Sequence, residues 1–353
     1  MKKFFIVFVI FSFFYVCLHL YIANFISRYA FEQSKIRLFF LSMCLLSISI
    51  VFMRGVFYKD ILSYFYLAAF MWMGFVLVTA FVFSLVDFIG IFLKINFKYL
   101  FYSACVLSML IVIYSVVSSL KFPEEKEIVV ESNKISRDYV FYFISDLHID
   151  FPFKRSMFCR IMKKLNEGSG EFIVIGGDLF DPGFRMSQCL KNISNKKVFF
   201  VMGNHEYYYG IDKSKKDIEM MNFKDITSNS LSYGQLNLIG IDDIHTRGLL
   251  FDDVKSFIGK NYKEGYFNII ISHQPLYFKE ISNEYDVFML SGHTHCGQIF
   301  PFHIFIKIFY PYFCGKYERK NSVIYVSSGA SVWGPQMRFL SQGEIVKVVV
   351  KRI

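Results

Sequence analysis

The first third of the chain alternates long apolar stretches with short polar interruptions. The apolar stretches cover roughly 4–26, 38–53, 61–84 and 99–120. Because a helix of about 20 apolar residues crosses a bilayer, residues 1–120 are predicted to form a transmembrane domain of about four spans. The first stretch exceeds the apolar region of a signal peptide and lacks an A-x-A cleavage site, which favours a retained helix. The alternative is a set of buried helices in a large soluble protein.

From residue 139 onwards the pattern changes to short apolar runs rich in β-branched and aromatic residues. These runs are YVFYFIS (139–145), EFIVIGG (171–177), KVFFVMG (197–203), LNLIGI (236–241), FNIIIS (267–272), YDVFMLSG (285–292) and VIYVSSG (323–329). Near-continuous apolar strands are typical of sheets covered on both faces. Helix-like stretches separate several of them, so residues 139–353 are predicted to form an α/β or α+β domain with a layered sheet core. The charged segment 121–138 is predicted to be a linker.

The basic excess of the chain lies mostly beside the apolar stretches. The net charge is +10, and residues 1–120 hold nine Lys or Arg against three Asp or Glu. Such charges favour anionic lipid head groups as partners. No basic patch with interleaved aromatic residues indicates nucleic acid.

The orientation prediction depends on the same charges. With a cytoplasmic N-terminus, the inner flanks carry Lys2, Lys3, Arg54, Lys59, Lys121 and Lys126, and the outer loops carry Arg28, Lys35, Arg37, Lys94 and Lys98. This excess of six over five favours an integral protein of the cell (inner) membrane with a cytoplasmic C-terminal domain. Seven scattered cysteines without a CxxC pair predict no disulfide framework and fit a reducing compartment.

Polar clusters follow five of the predicted strands. They are DLH at Asp146 and His148, GDLFD at Asp178, GNHE at Asn204 and His205, HQP at His273, and GHTH at His293 and His295. Each cluster alone has an ordinary structural explanation, such as a capping aspartate, a turn or a surface histidine. Together they place carboxylate, amide and imidazole groups at strand ends, where a rigid sheet can hold convergent ligands. Even with His205 set aside, the remaining seven groups include no thiolate and exceed the needs of one ion, which predicts two Mn, Fe or Zn ions.

The ordered series of these five motifs resembles the calcineurin-like metallophosphoesterase family over about 140–353. The continuation GHTHCGQIFP, then GKY (315–317), YVSSG (325–329), Arg338 and GEI (343–345), is similar to its membrane-associated bacterial subgroup, often called YkuE-like. Transmembrane proteins with a metallophosphoesterase domain are neighbours of this subgroup. The resemblance implies a four-layer αββα sandwich.

The resemblance also implies a role for each motif residue. Asp146, His148 and His295 would bind the first metal, Asn204, His273 and His293 the second, and Asp178 would bridge both. His205 would act on the leaving group, and Asp181 would hold a ligand in place. Two such cations lower the pKa of a shared water and neutralise phosphoryl oxygens, which is the chemistry of phosphoester hydrolysis.

Two positions depart from the subgroup. Cys296 stands where glycine is usual, either as a bystander or as a thiol that makes the site sensitive to oxidation. SSGAS (327–331) replaces an arginine- and glycine-rich turn, which leaves the substrate contacts of this loop open.

The apolar stretch 299–313 bears on the substrate. It either packs in the core, or dips into the bilayer or holds acyl chains. Arg247 is either a phosphate contact or a solvated surface residue. A lipid-linked phosphate fits the membrane domain, and relatives suggest the pyrophosphate of UDP-2,3-diacylglucosamine in lipid A biosynthesis. The alternatives are a general membrane phosphodiesterase or phospholipid phosphatase, and a non-catalytic metallophosphoesterase scaffold acting as a sensor or binding subunit. A transporter is disfavoured, since the apolar segments carry few ionisable residues beyond His19 and Asp87.

Overall fold

The computed structural model of the protein describes residues 2–28, 32–53, 60–93 and 95–353. The chain divides into two compact units. The helical unit comprises Met1–Leu120, Ile299–Pro301 and Gly334–Leu340. The sheet unit comprises Lys121–Gln298, Phe302–Trp333 and Ser341–Ile353.

Four long helices make up most of the helical unit. They are α1 (Lys2–Ser27), α2 (Gln33–Met53), α3 (Asp60–Leu93) and α4 (Phe97–Leu120). Among the described residues, three segments are long and apolar enough to cross a membrane, namely Gln33–Val51, Ser63–Leu93 and Phe97–Leu120. The apolar part of α1 that is described, Phe11–Ser27, is shorter. The predicted number of about four spans therefore corresponds to three candidate spans and this shorter helix.

The orientation prediction depends partly on residues outside the described part of the chain. Arg54, Lys59 and Lys94 lie outside the described residues.

Two short segments from the distant C-terminal half belong to the helical unit. Ile299 and Met337 are buried in the same apolar cluster as the long helices. The ring of Phe300 lies 5.1 Å from that of Phe81, and the Arg338 backbone N–H donates to the Ser115 carbonyl over 2.8 Å. The predicted domain of residues 1–120 therefore lacked two pieces, since local hydropathy does not indicate a packing partner some 200 residues away in sequence.

The sheet unit contains twelve strands and seven α-helices among its described residues. The strands are β1 (Glu124–Ser132), β2 (Tyr139–Ile144), β3 (Phe172–Gly176), β4 (Lys197–Val201), β5 (Lys224–Asp225), β6 (Asn229–Tyr233), β7 (Leu236–Ile241), β8 (Phe267–Ser272), β9 (Phe288–Ser291), β10 (Gly315–Arg319), β11 (Ser322–Val326) and β12 (Glu344–Arg352). The helices are α5 (Pro152–Glu167), α6 (Asn204–Tyr209), α7 (Ile211–Met220), α8 (Ile244–Arg247), α9 (Phe251–Asn261), α10 (Phe278–Ile281) and α11 (Phe302–Phe309).

These strands form two mixed six-stranded sheets, in the orders β1-β12-β2-β3-β4-β5 and β10-β11-β9-β8-β7-β6. Apolar side chains of both sheets share one buried cluster, to which Phe141 of the first sheet and Leu290 of the second belong. Phe158 of α5 packs on the outer side of the first sheet, and Ile258 of α9 on the outer side of the second. The predicted αββα layers are confirmed.

The linker predicted at 121–138 is wrong. β1 pairs in parallel with β12 from Glu124 opposite Glu344 to Ser132 opposite Arg352. Only alternate residues such as Ile128 and Val130 are buried, because β1 is an edge strand whose other side chains face solvent. This half-polar pattern made the strand resemble a charged linker.

The topology gathers the carboxyl ends of five strands. β2, β3 and β4 are parallel neighbours in one sheet, and β8 and β9 are parallel neighbours in the other. The carboxyl ends of parallel strands meet at one edge of a sheet, which is where ligands bind in layered α/β folds. All five predicted motifs follow these five strands.

Candidate metal centre

Seven side chains from the five motif loops converge at this edge. Six of them are buried: Asp146, His148, Asp178, Asn204, His273 and His295. His293 is half-buried. Three groups of potential ligand atoms lie within 4.8 Å of one another: Asp146 with His148 and His295, His148 with Asp178 and His205, and Asp178 with His273 and His293. The two histidines of the GHTH motif therefore lie in different groups.

Asp178 lies between the groups. Its Oδ2 is 3.1 Å from His273 Nε2 and 3.7 Å from His148 Nε2. On the other side, His295 Nε2 is 3.5 Å from Asp146 Oδ1. A carboxylate that reaches ligands of both groups has the position that a bridging ligand requires.

Two glycines allow the backbone to approach these carboxylates. A Cβ at Gly203 would collide with Asp178 Oδ1, and a Cβ at Gly292 would collide with Asp146 Oδ2. Glycine has no Cβ, so the loops after β4 and β9 can pass this close. Gly203 and Gly292 therefore allow the backbone of these loops to lie next to the carboxylates of Asp178 and Asp146.

The ligand loops hold an uncommon backbone conformation. Five of the seven candidates have positive φ, namely Asp146, His148, Asp178, His293 and His295, with values between 45° and 71°. Non-glycine residues adopt this left-handed region rarely, and such strain concentrates at functional sites.

The donor set fits divalent ions of the Mn, Fe or Zn type. His273 Nδ1 shares a hydrogen bond of 2.9 Å with the Gly176 carbonyl, which leaves Nε2 directed at Asp178. His293 Nε2 is within 2.9 Å of Tyr310 Oη. The buried amide oxygen of Asn204 accepts no hydrogen bond from any described residue, and an unpaired buried oxygen is costly unless a cation compensates it. Imidazole, carboxylate and amide oxygen together suit those metals.

Charges inside the cluster perturb its pKa values strongly. Burial raises the pKa of Asp146. Burial also opposes ionisation of Asp178, but His273 and His205 outweigh it and the pKa of that carboxyl lies far below its usual range. Burial and the neighbouring charge of His273 lower the pKa of His293 to about 3, so this imidazole is neutral and able to ligate a metal.

His205 has the surroundings of a proton donor. Burial disfavours its charged form, but the carboxylates of Asp178 and Asp181 raise the pKa of His205 to about 9. Asp181 forms a close hydrogen bond with Nδ1 of His205. Nε2 of His205 lies 3.9 Å from Asp178 Oδ2, so the protonated ring is held at the edge of the ligand cluster.

Glu206 is a residue of this site to which the sequence assigned no role. Its carboxylate accepts the backbone N–H groups of Asp178, Leu179, Phe180 and Gly203 over 2.7–3.0 Å. Burial and then the charge of Asp178 raise the pKa of Glu206 to about 7. The residue fixes the loop that carries Asp178. The signal was its position directly after His205 in GNHE.

The structure also locates Arg247 and the 327–331 loop, for which a substrate contact was considered or left open. Arg247 is exposed, and its Nε pairs with Asp242 at 3.4 Å, as a solvated surface arginine does. The 327–331 loop contacts the loop that carries Asp146 and His148, because Ser331 N–H donates to the Asp146 carbonyl over 3.1 Å.

Cys296 is neither a bystander nor a free thiol. It forms a disulfide with Cys314, so the expected absence of disulfides is wrong. No CxxC spacing indicates this bond, because the intervening helix α11 brings the two residues together. Disulfides persist mainly in oxidising compartments, so this bond and the cytoplasmic orientation favoured by the flanking charges predict opposite redox states for the two cysteines in cells.

Within the apolar stretch 299–313, the helix α11 does not pack in the core of the sheet unit. No residue of α11 is buried against the described protein. The alternative in which this stretch packs in the core is therefore wrong for Phe302–Phe309, whereas Ile299 is buried within the helical unit.

Comparison with known proteins relates the chain to one family. Residues 139–297 match the calcineurin-like phosphoesterase family. An uncharacterized metallophosphoesterase from Campylobacter jejuni is 32% identical over 70% of this chain and 69% of its own length. One from Helicobacter pylori is 31% identical over 63% of this chain. A Danio rerio transmembrane protein with metallophosphoesterase domain is 27% identical over 70% of this chain and 62% of its own length. The chain spans 62% of the length of the Helicobacter pylori relative.

Proposed function

Because the chain belongs to the calcineurin-like metallophosphoesterase family, we propose that it is a membrane-anchored phosphoesterase that uses two divalent ions to hydrolyse a phosphodiester or pyrophosphate bond. The observation that carries the proposal is the convergence of seven Asp, Asn and His side chains around Asp178. Asp146, His148 and His295 would hold one ion, and Asn204, His273 and His293 the other, with Asp178 shared. Such an ion pair activates water and neutralises phosphoryl oxygens when bound.

The protein's own residues would orient the reaction and supply a proton. His205, kept protonated by Asp178 and Asp181, would donate its Nε2 proton to the departing oxygen. Asp181 holds the ring through Nδ1, which leaves Nε2 facing the cluster. No cysteine or serine nucleophile is required.

We further propose a lipid-linked substrate, with UDP-2,3-diacylglucosamine as the first candidate. Three described helices are long and apolar enough to cross a membrane, which supports a membrane anchor. The exposed apolar helix α11 follows the ligand His295 by seven residues, which supports a substrate that has both a phosphate group and apolar chains. On this proposal the protein acts in lipid A biosynthesis at the cell membrane.

We propose that the catalytic domain faces the cytoplasm, where nucleotide-linked precursors are available. The flanking charges support it, by six residues against five.

The test is release of UMP from UDP-2,3-diacylglucosamine by the full-length protein in detergent with Mn²⁺. Asp178→Asn serves as the inactive control, and Asp286→Asn, an exposed position, as the matched one. Release by wild type and Asp286→Asn alone would support the proposal. Cleavage of a chromogenic diester without UMP release would reject this lipid and favour other membrane phosphodiesters. No hydrolysis of either by metal-loaded protein would favour a binding scaffold.

A further inference from the structure

The outward face of α11 is apolar throughout. Ile304, Phe305, Ile308 and Phe309 are 54%, 40%, 69% and 72% exposed. They recur at spacings of one, three and four residues, which places them on one side of a helix. Soluble helices direct such a stripe to the core and leave the polar face to water. α11 has the opposite arrangement.

The other face of α11 is tied to the metal centre. His303 lies against Gly297, and Tyr310, directly after the helix, shares a hydrogen bond with the candidate ligand His293. The segment between Cys296 and Cys314, called here the α11 excursion, contains the helix. Its two ends are joined by the Cys296–Cys314 disulfide and by a 2.6 Å hydrogen bond from Thr294 Oγ1 to the Phe313 carbonyl. The helix is therefore held in place by covalent and polar links, and its apolar face does not serve to attach it to the sheet unit.

Chain continuity indicates what covers this face. Ile299–Pro301 belong to the unit that contains the candidate membrane spans, and α11 begins at the next residue, Phe302. Lys307 is exposed on the helix, and a lysine beside an apolar stripe can extend its amine to lipid phosphates. An apolar helix face with a flanking cation, directly following a candidate membrane unit in sequence, is typical of an interfacial helix.

We propose that the outward face of α11 docks into the acyl region of the bilayer beside the metal centre. Ile304, Phe305, Ile308 and Phe309 would lie among lipid chains, with Lys307 at the head groups. Through the hydrogen bonds of Tyr310 with His293 and of Thr294 with Phe313, this contact would fix the His293–His295 loop at the membrane surface. This docking would occur with any substrate of the metal centre.

The test is site-specific photocrosslinking of the full-length protein in phosphatidylcholine nanodiscs. Three variants are compared: Ile308→p-benzoylphenylalanine, Leu110→p-benzoylphenylalanine on the candidate span α4, and Leu250→p-benzoylphenylalanine. Leu250 is the matched control because it is 68% exposed, close to the 69% of Ile308, but lies outside α11. Lipid adducts are counted by intact-protein mass spectrometry after irradiation.

We expect lipid adducts at positions 308 and 110 and at least about tenfold fewer at 250. Adducts at 110 alone would overturn the proposal. Equal adducts at 308 and 250 would also overturn it, because α11 would then be no more lipid-exposed than an ordinary surface. A protein–protein crosslink at 308 without lipid adducts would overturn the proposal, because a second copy of the chain, and not the bilayer, would then cover this face. None of these outcomes depends on hydrolysis, so failure here is separate from failure of the proposed function.

Discussion

The phenol oxygen of Tyr310 lies 2.9 Å from Nε2 of His293, although the two residues are 17 positions apart. The contact joins the end of α11 to a candidate metal ligand. Since Nε2 is engaged by the phenol, Nδ1 is the nitrogen left for a metal. Outer partners of this kind set the tautomer and orientation of a ligating histidine.

Removal of this phenol is expected to weaken metal binding. Tyr310→Phe keeps the ring but loses the oxygen, so metal affinity should fall about 10–100-fold. Titration of the apo-protein with Mn²⁺ measures it, and Tyr317→Phe on β10 is the matched control. Equal affinities in the two variants would contradict an orienting role for Tyr310.

Asp181 is expected to set the pH range of activity. The folded pKa of His205 is raised to about 9, above its ordinary value, partly by Asp181. A proton donor with a raised pKa acts below that pKa and is lost as pH rises through it. Asp181→Asn should therefore move the alkaline limb of the kcat/KM profile to lower pH. A profile that decreases in height without moving would argue against His205 as the donor.

Metal removal is expected to lower thermal stability through Asp178. Each ion at about 100 times its Kd stabilises a protein by about 2.7 kcal/mol, so two ions contribute about 5.4 kcal/mol, which corresponds to roughly 10–20 °C for a unit of this size. EDTA should lower Tm by that amount in wild type and by much less in Asp178→Asn, because the shared ligand is weakened. The variant itself should fold, which circular dichroism checks. An equal EDTA effect in both proteins would refute the shared position of Asp178.

Glu206 is expected to matter for stability as well as for the site. Its carboxylate accepts four backbone N–H groups, whereas the amide of Glu206→Gln offers a single acceptor oxygen. Leaving buried donors unpaired should lower the free energy of unfolding by roughly 2 kcal/mol. Glu219→Gln, at an exposed position of α7, should leave stability within about 0.5 kcal/mol of wild type. Thermal unfolding of the two variants side by side makes the comparison.

The Cys296–Cys314 bond is expected to respond to its compartment. If the catalytic domain is cytoplasmic, acid quenching of cells and alkylation should find both thiols free, since that compartment keeps thiols reduced. Purification without reductant should then form the bond, which mass spectrometry detects. A bond already present in quenched cells would overturn the cytoplasmic orientation. Reduction should destabilise the α11 excursion, by about 3 kcal/mol for a loop of this length.

Much of the fold and of the candidate site follows from local sequence. The apolar runs at β2, β3, β4, β8 and β9 have strand length and β-branched composition, and each ends at a polar cluster. Such signals lie within a few residues of one another, so the layered class and the seven ligand candidates could be predicted. β1 was missed because an edge strand buries only every second side chain, which gives it the composition of a linker.

The tertiary structure alone decided which distant residues meet. Ile299–Pro301 and Gly334–Leu340 pack with membrane helices, Cys314 reaches Cys296, and Tyr310 reaches His293. The sequence determined the chemistry of the centre, because a ligand must be a particular residue type placed after a particular strand. It did not determine the supports of that centre. A hydrogen bond or disulfide between two loops depends on the path of the chain between the bonded residues. The periodic pattern of apolar and polar residues does not indicate that path.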